Sequence, residues 1–272
     1  MIHLSTKYSC IEEKGESLVI SLDRPEVKNA FHPEMISELI FLFKEIEQQK
    51  EKISKERKYI LLKANGDTFC AGADLNWMRS MKDFSIEENL RDATQLEALF
   101  AAIRNSSFPV IGLVQGGCYG GGVGLVAACD LVYAKSNSAN FCLSEVKLGL
   151  APAVISPYVM AKVGSSNFRR FALSGELFGA VAAMSAGLVH YVVEEINWID
   201  IENVIASHYA KLPSVALQKV KSLALKLEGP LFSKEVTHFT TNLIAHLRKT
   251  PEAQEGMSSV LEKRKPNWIK IK

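Results

Sequence analysis

Apolar runs separated by polar turns predict alternating strands and helices over the first two thirds of the chain. Four short apolar runs of strand length, each bounded by turn residues, lie at residues 17–22, 59–64, 110–114 and 131–134. The first of these runs follows Gly15, so a strand pair is expected at the start. Apolar residues that recur at helical spacing predict helices over residues 33–46, 75–81 and 83–102. Strands alternating with helices predict an α/β fold with crossover connections.

The remaining chain becomes increasingly helical. Helices are predicted at 156–163, 168–173 and 180–186, with Gly164 and Gly187 as helix ends, before a last strand at 188–193. From Trp198 onward every strongly periodic segment is helical, with breaks at Pro213, Gly229-Pro230 and Pro251. We therefore divide the chain into a core, residues 1–197, and a helical C-terminal appendage, residues 198–272.

A glycine-rich segment followed by a lone carboxylate is the strongest candidate for a site. Gly120, Gly121 and Gly122 carry no Cβ, so their backbone N–H groups can approach a ligand closely. The apolar residues 126–128 are interpreted as the first turns of a buried helix, which places the last glycines at a helix N-terminus. Such N–H groups favour developing negative charge, and Glu145 lies downstream as a possible acid or base.

A second loop of small residues follows the strand at 59–64. Ala71, Gly72 and Ala73 allow close backbone approach, and Asp74 is expected to cap the helix that begins at Leu75. This loop can offer a second N–H donor. The two loops are therefore predicted to converge on one acyl oxygen.

Composition and charge exclude several classes of protein. Lys and Arg number 32 against 30 Asp and Glu, so the net charge of +2 gives no electrostatic case for nucleic acid. No apolar stretch reaches the roughly 18 residues of a membrane span, and the N-terminus resembles no signal or transit peptide. Five cysteines without paired spacing indicate reduced thiols and a cytoplasmic protein. Cys118 is the best candidate for a nucleophilic cysteine, although a packing role is more common.

Metal binding and dinucleotide binding were also considered as functions. Six histidines show no spacing typical of metal ligands, so no metal site is predicted. Residues 122–127 match the dinucleotide fingerprint G-x-G-x-x-A, which is typical of an NAD-dependent oxidoreductase. Against this interpretation, the next strand ends at Lys135, where an acidic residue would bind the ribose.

Separated blocks of sequence resemble the enoyl-CoA hydratase/isomerase (crotonase) family in the same order. They are LDRP at 22–25 with NAF at 29–31, FCAGADL at 69–75, Gly116 with GGG at 120–122, ACD at 128–130, Glu145, and EG with EKRKP at 255–266. The resemblance covers nearly the whole chain. It implies a crotonase-like spiral of ββα units, a helical C-terminal trimerisation region, and an acyl-CoA thioester substrate. It also implies a homo-oligomer, either a trimer or a dimer of trimers, and no cofactor beyond the coenzyme A of the substrate.

The family's functional residues map onto both small-residue loops. The oxyanion donors correspond to the N–H groups of Ala73 and Gly121, and the contact to the adenine end of coenzyme A corresponds to the Ala71 backbone. Substrate binding is also assigned to neighbouring residues of these loops, and Lys28 is a candidate phosphate partner. These neighbours are Gly72, Asp74, Leu75, Gly122 and Gly124.

Glu145 corresponds to one of two catalytic glutamates in typical hydratases of the family, whereas Gly124 replaces the other. One carboxylate must then serve both proton transfers. Related double-bond isomerases also carry a single glutamate, so isomerisation remains an alternative. The apolar neighbours of Glu145 predict partial burial and a raised pKa.

A narrower resemblance concerns the bacterial 3-methylglutaconyl-CoA hydratase branch of leucine and isovalerate catabolism. It rests on GGGVGL at 120–125, FCLSE at 141–145, PAVISPYV at 152–159 and ADLNWMRSM at 73–81. Such a substrate has a distal carboxylate, so a cation is expected near the acyl pocket. Arg79 and Lys82 are the candidates, and Tyr119 and Ser144 are candidates for positioning water.

Two expectations from the family concern other roles. A non-catalytic thioester-binding or RNA-binding relative is the third class of function considered, and near-neutral charge argues against RNA. Residues 229–232 and 261–264 are expected to pack helices or to approach the coenzyme of a neighbouring subunit.

Overall fold

The structure is a computed structural model that describes residues 6–228 and 233–267. The strands within these residues are β1 (Ser9–Lys14), β2 (Ser17–Leu22), β3 (Tyr59–Ala64), β4 (Thr68–Cys70), β5 (Val110–Val114), β6 (Gly117–Tyr119), β7 (Leu131–Lys135), β8 (Asn140–Cys142), β9 (Phe178–Gly179) and β10 (Tyr191–Val193). The helices are α1 (Pro33–Gln48), α2 (Lys50–Ile53), α3 (Leu75–Met81), α4 (Ile86–Arg104), α5 (Gly121–Ala128), α6 (Ser156–Ser174), α7 (Ala180–Ser185), α8 (Glu195–Trp198), α9 (Ile201–Tyr209), α10 (Ser214–Leu227), α11 (Lys234–Leu247) and α12 (Pro251–Leu261).

Repeated ββα units build two sheets. In three successive units the first strand, β3, β5 or β7, joins a six-stranded sheet in the order β1-β2-β3-β5-β7-β10. The second strand, β4, β6 or β8, joins a four-stranded sheet in the order β4-β6-β8-β9. Strands of successive units pair in parallel within each sheet. The α/β fold of ββα units expected from the sequence is therefore confirmed.

The six-stranded sheet separates two apolar cores. On β2, Leu18, Ile20 and Leu22 face the main core, whereas Val19 belongs to a smaller core that includes Ile205 of α9. This alternation follows from the two-residue repeat of a strand. Every residue of β2 is buried, which agrees with a strand covered on both faces.

Most predicted elements are present, and several of their boundaries differ from the prediction. The strands at 17–22, 59–64 and 110–114 and the helix at 75–81 have the predicted bounds. The helix after the glycines begins at Gly121 and ends at Ala128, so residues 126–128 form its end and not its first turns. Helix α4 begins at Ile86 because Ser85 forms a capping box with Glu88. The strand expected at 188–193 is shortened to β10.

The short strands of the second sheet were not predicted. β4, β6 and β8 have three residues each, which is too short for an alternating pattern to be recognised. The expected helical pieces at 156–163 and 168–173 belong to one helix, α6, whose backbone departs from helical geometry at Gly164.

The C-terminal helices pack against the core. α11 lies against α4, and α12 contacts α3 and the 3₁₀ turn at Glu145–Leu148. The region is helical as predicted, but it contributes to the interior and is more than an appendage. Among the described residues, no helix is long and apolar enough to cross a membrane.

Asn29 connects the segment before α1 with the turn between β3 and β4. It is fully buried, with a positive φ of 53°, a conformation that asparagine tolerates better than most residues. Its side chain accepts a hydrogen bond from Arg24 N at 2.8 Å and donates to the carbonyl oxygens of Asn65 and Thr68, both at 2.8 Å. The start of β4 therefore depends on this one amide.

Replacement of Asn29 by Ala should lower the free energy of unfolding by on the order of 3 kcal/mol, because buried backbone groups lose their partners. Denaturant unfolding would measure the loss. Asn29→Gly relieves the positive φ and also lacks the amide, so a comparable loss is expected. Full stability of the glycine variant would show that backbone strain, and not hydrogen bonding, sets the role of Asn29.

Candidate active site

A cavity of about 150 Å³ brings together the two small-residue loops and Glu145. Ala71, Gly72 and Ala73 line it from one side, and Gly120 and Gly121 line it from another. The convergence of the loops predicted from the sequence is therefore confirmed.

The loop after β4 is held by the segment before α1. Phe31 N donates to the Gly72 carbonyl oxygen, and Asp74 N donates to the Phe31 carbonyl oxygen, both at 2.7 Å. These bonds flank Ala73, and the Ala73 N–H donates to none of the residues that the structure describes. Gly72 has a φ of 89°, and a Cβ there would lie 3.1 Å from the Tyr119 carbonyl oxygen. The loop therefore requires glycine at this position.

The second loop turns from β6 into α5. Gly120 has a φ of 52° and donates its N–H to the Cys142 carbonyl oxygen at 3.0 Å. Gly121 is the first residue of α5, so its N–H has no partner within the helix. Within residues 6–228 and 233–267, this N–H has no other acceptor. Ala73 and Gly121 thus each present a free donor at one cavity.

Glu145 supplies the carboxylate of the site. It begins a 3₁₀ turn, and the residue is half-buried while its Oε2 atom is fully buried without a hydrogen-bond partner among the described residues. Burial raises the pKa of Glu145 from 4.5 to about 7. Lys147 offers no ion pair, because its Nζ lies 3.7 Å from Cys142 Sγ instead. The predicted partial burial and raised pKa are confirmed.

Gly124 lies where the second glutamate of typical hydratases is expected. A Cβ on Gly124 would lie 2.5 Å from Ile155 Cγ2 and 2.8 Å from Phe100 Cζ. Those apolar side chains fill the space that a carboxylate would need. The packing of α5 against α4 and α6 therefore leaves no room for a glutamate at position 124.

Two assigned glycines do not reach the cavity. Gly122 and Gly124 are buried on α5 and are absent from the described lining. A Cβ on Gly122 would lie 2.9 Å from both Cβ and the carbonyl oxygen of Cys70. The structure gives both glycines a packing role on α5, and their contact with substrate stays a prediction. Close packing at Gly122 and Gly124 accounts for the G-x-G-x-x-A spacing of residues 122–127 without invoking a dinucleotide site.

The other assigned residues occupy the rim of the first loop. Asp74 caps α3 by accepting from Asn76 N at 2.8 Å and also accepts from Arg24 at 3.0 Å, so its oxygens are already engaged. Leu75 is exposed. Lys28 has an exposed side chain, and its carbonyl oxygen accepts from Ala71 N at 3.0 Å, so it adjoins the cavity.

The structure does not bring Arg79 and Lys82, the cations expected near the acyl pocket, to the cavity. Arg79 is exposed and donates to Asn76 Oδ1 at 3.2 Å, while Lys82 Nζ donates to Ser258 Oγ at 2.5 Å. Neither side chain lines the cavity. Arg248, at the end of α11, is the basic residue among the described lining. The sequence did contain a sign of this placement: Arg248 follows the apolar Ile244 by four residues, so both lie on the same face of the helix.

Two side chains proposed to position water differ in location. Ser144 lines the cavity beside Glu145. The Tyr119 ring lies over Gly117, where a Cβ would be only 2.7 Å from the tyrosine hydroxyl, and Tyr119 is absent from the described lining. Ser144 therefore stays a candidate, whereas the structure does not bring Tyr119 to the cavity.

Three other features were considered as possible sites: the Cys118 thiol, clusters of metal ligands and a second cavity. Cys118 is fully buried, and burial raises its pKa well above 9.0, so the thiol is not poised as a nucleophile. Residues 6–228 and 233–267 contain no cluster of three or more possible metal ligands, and His3 lies outside the described residues. A larger cavity of about 620 Å³ lies between α10 and the end of α5 and includes neither loop nor Glu145.

Stacked ββα units whose strands form two largely parallel sheets define the crotonase class of fold. A family model described as enoyl-CoA hydratase/isomerase matches residues 12–270. The chain therefore belongs to the enoyl-CoA hydratase/isomerase family.

Similar proteins agree over most of their length. A 2,3-dehydroadipyl-CoA hydratase of Escherichia coli K12 is 30% identical over 259 residues, covering 95% of this chain and 97% of that protein. A solved enoyl-CoA hydratase from Shewanella pealeana is 36% identical with a TM-score of 0.74, covering 96% of both chains. Another from Mycobacterium avium is 29% identical with a TM-score of 0.81, covering 97% of this chain and 100% of that one.

Replacement of Glu145 by Gln should stabilise the fold at alkaline pH. The folded pKa of about 7 exceeds the ordinary 4.5, so ionisation of Glu145 favours the unfolded chain. The variant should be more stable than wild type by up to about 3 kcal/mol at pH 8. This difference should shrink as the pH falls from about 7 and vanish below about 4.5. Denaturant unfolding at several pH values measures it, and a pH-independent difference would contradict the raised pKa.

Proposed function

We propose that this protein is an enoyl-CoA hydratase that adds water across the 2,3 double bond of an acyl-CoA thioester. The observation that carries the proposal is the buried, unpaired Oε2 of Glu145 at the cavity that Ala73 and Gly121 share. Hydration needs a proton acceptor for water, a proton donor for the substrate carbon, and stabilisation of an enolate.

Ala73 and Gly121 are proposed to form the oxyanion hole. When water attacks C3, the electron pair of the double bond moves towards the thioester, and negative charge develops on the carbonyl oxygen. Two preorganised N–H donors stabilise this charge by several kcal/mol relative to the neutral carbonyl. The placement of Gly121 at the first turn of α5 adds the partial positive charge of a helix N-terminus.

Glu145 is proposed to carry out both proton transfers. Its carboxylate accepts a proton as the water oxygen bonds to C3, and the resulting carboxylic acid then donates that proton to C2. Water is thereby added and the carboxylate is regenerated. A pKa of about 7 suits both roles, since acid and base forms are present together near neutral pH. Ser144 is proposed to hold the attacking water beside Glu145.

The proposed substrate is 3-methylglutaconyl-CoA or a similar branched glutaconyl-CoA. Residues 73–81, 120–125, 141–145 and 152–159 resemble the branch that uses this substrate, and the relative from Escherichia coli is named for a dehydroadipyl thioester, which also derives from a dicarboxylic acid. Lys28 is proposed to bind a coenzyme phosphate, and the Ala71 backbone is proposed to contact the adenine. Coenzyme A enters only as part of the substrate, and the proposal includes no further cofactor.

Isomerisation of a 3-enoyl thioester is the alternative that one observation favours. Gly124 leaves the site with a single carboxylate, which could remove a proton from C2 and return it to C4. The product distinguishes the two reactions, because hydration increases the mass by one water and isomerisation leaves it unchanged.

The test follows loss of enoyl-thioester absorbance with 3-methylglutaconyl-CoA and crotonyl-CoA, for wild type and Glu145→Gln. We expect wild type to prefer 3-methylglutaconyl-CoA, with kcat/KM rising as the pH passes through about 7 because the carboxylate must be ionised. Glu145→Gln should lower kcat by at least about 100-fold. The exposed Glu87→Gln is the control and should retain full activity.

Three outcomes would contradict the hydratase proposal. Product of unchanged mass from a 3-enoyl thioester would favour the isomerase. Tight binding of enoyl thioesters without turnover would favour a non-catalytic binding protein. Full activity of Glu145→Gln would remove Glu145 from the reaction.

We also propose a cytoplasmic homo-oligomer, a trimer or a dimer of trimers. The exposed face of α10 supports assembly, because Val220, Leu223 and Leu227 are 67%, 58% and 75% exposed. Of the tail segments, residues 229–232 lie outside the described residues, and the approach of 261–264 to a neighbouring coenzyme remains a prediction. Analytical ultracentrifugation should show a multiple of three chains, and a stable monomer at micromolar concentration would contradict the assembly.

A further inference from the structure

We infer that Arg248 binds a carboxylate at the far end of the acyl group and thereby sets a preference for dicarboxylic acyl-CoA thioesters. The inference rests on the proposed function, since it concerns the acyl end of the same cavity. Arg248 comes from the helical C-terminal region, away from the loops that hold the thioester end of the proposed substrate.

Arg248 is a buried charge in the lining of a largely apolar cavity. The residue is 5% exposed, and the cavity that it lines is also lined by Met78, Met81, Leu96 and Met257. Burying a guanidinium is costly unless hydrogen bonds and opposite charge compensate it. An apolar acyl chain alone would gain nothing from this cation.

Only one end of the guanidinium is engaged by the protein. Nη1 donates to Asp92 Oδ2 at 2.5 Å and approaches Asn89 Oδ1 at 3.4 Å. Nε and Nη2 donate to no residue in the described part of the chain. A guanidinium has five N–H donors in a planar fork, and the edge formed by Nε and Nη2 matches the two oxygens of a carboxylate. Arg248 therefore retains the donor pair needed for a bidentate contact.

Asp92 holds two lining residues at once. Besides pairing with Arg248, it accepts a hydrogen bond from Trp77 Nε1 through Oδ1 at 2.9 Å. Its side chain is 10% exposed. Asp92 acts as a positioning residue, because it fixes the orientation of Arg248 from α4 and also holds the indole of Trp77 on α3.

The arrangement differs from that of the neighbouring cations. Lys82 and Lys249 both donate to protein oxygens outside the cavity, from Lys82 Nζ to Ser258 Oγ and from Lys249 Nζ to the Lys82 carbonyl oxygen. Arg264 pairs with Glu255 and Glu262. Arg248 alone among these four combines burial, a place in the lining and unused donors.

Binding of saturated thioesters tests the inference separately from catalysis. Glutaryl-CoA and valeryl-CoA have the same number of acyl carbons and lack the double bond, so neither can be hydrated. Isothermal titration calorimetry on the full-length wild type should show at least a tenfold preference for glutaryl-CoA, since a charged hydrogen-bonded pair at a buried site contributes about 1.5–3 kcal/mol.

The variant Arg248→Gln combined with Asp92→Asn removes both charges and leaves no unpaired carboxylate. The amide that Asp92→Asn introduces still has an acceptor oxygen for Trp77, so folding is expected to survive, as thermal unfolding would check. The preference for glutaryl-CoA should fall to less than about twofold, with affinity for valeryl-CoA within about threefold of wild type. Arg248→Lys keeps the charge without the planar fork and should retain an intermediate preference.

Arg91→Gln is the matched control, because Arg91 is exposed on α4 next to Asp92. Its preference should equal that of wild type. The inference is overturned if wild type does not prefer glutaryl-CoA, or if the Arg248 variants keep the wild-type preference. If the protein hydrates no enoyl thioester but its preference for glutaryl-CoA is lost in the Arg248 variants, this inference stands and the proposed hydratase activity is rejected. If the protein hydrates enoyl thioesters but wild type shows no preference for glutaryl-CoA, the hydratase proposal stands and this inference is rejected.

Discussion

The close approach of two backbone loops is the constraint on which the rest of the structure depends. Cys70 and Gly122 lie so near each other that a Cβ on Gly122 would be 2.9 Å from the Cys70 carbonyl oxygen. Gly72 is held nearly as closely to Tyr119. Because β4 and β6 pair in parallel, both loops leave the same edge of the small sheet, and their free N–H groups reach one cavity. Small residues are therefore required by packing as much as by chemistry.

The same packing decides which acid–base chemistry is available. Phe100 and Ile155 occupy the space beside Gly124, so a second carboxylate has no room at this position of α5. Glu145 remains as a carboxylate with a pKa of about 7, whose buried Oε2 has no hydrogen-bond partner among the described residues. Near neutral pH such a group can both accept and donate a proton, which is what a site with one carboxylate needs.

The C-terminal helices complete the cavity at its far end. Ile244 and Arg248 of α11 and Met257 of α12 join the lining, and Asp92 of α4 holds Arg248 in place. The loops of the ββα units thus line the cavity with backbone donors, while the C-terminal helices add Arg248 and apolar side chains to the same lining.

Local patterns in the sequence determined most strands of the six-stranded sheet, most helices, the small-residue loops and the cap at Asp74, because each depends on residues close together in the chain. The ordered blocks of resemblance determined the family. Only the tertiary structure decided the second sheet, whose strands are too short to show a pattern, and the packing role of Gly122 and Gly124. The tertiary structure also shows that Arg248 lines the cavity, whereas Arg79 and Lys82 do not. Which charge faces a cavity depends on partners such as Asp92, 156 positions away in sequence, and no local spacing encodes that contact.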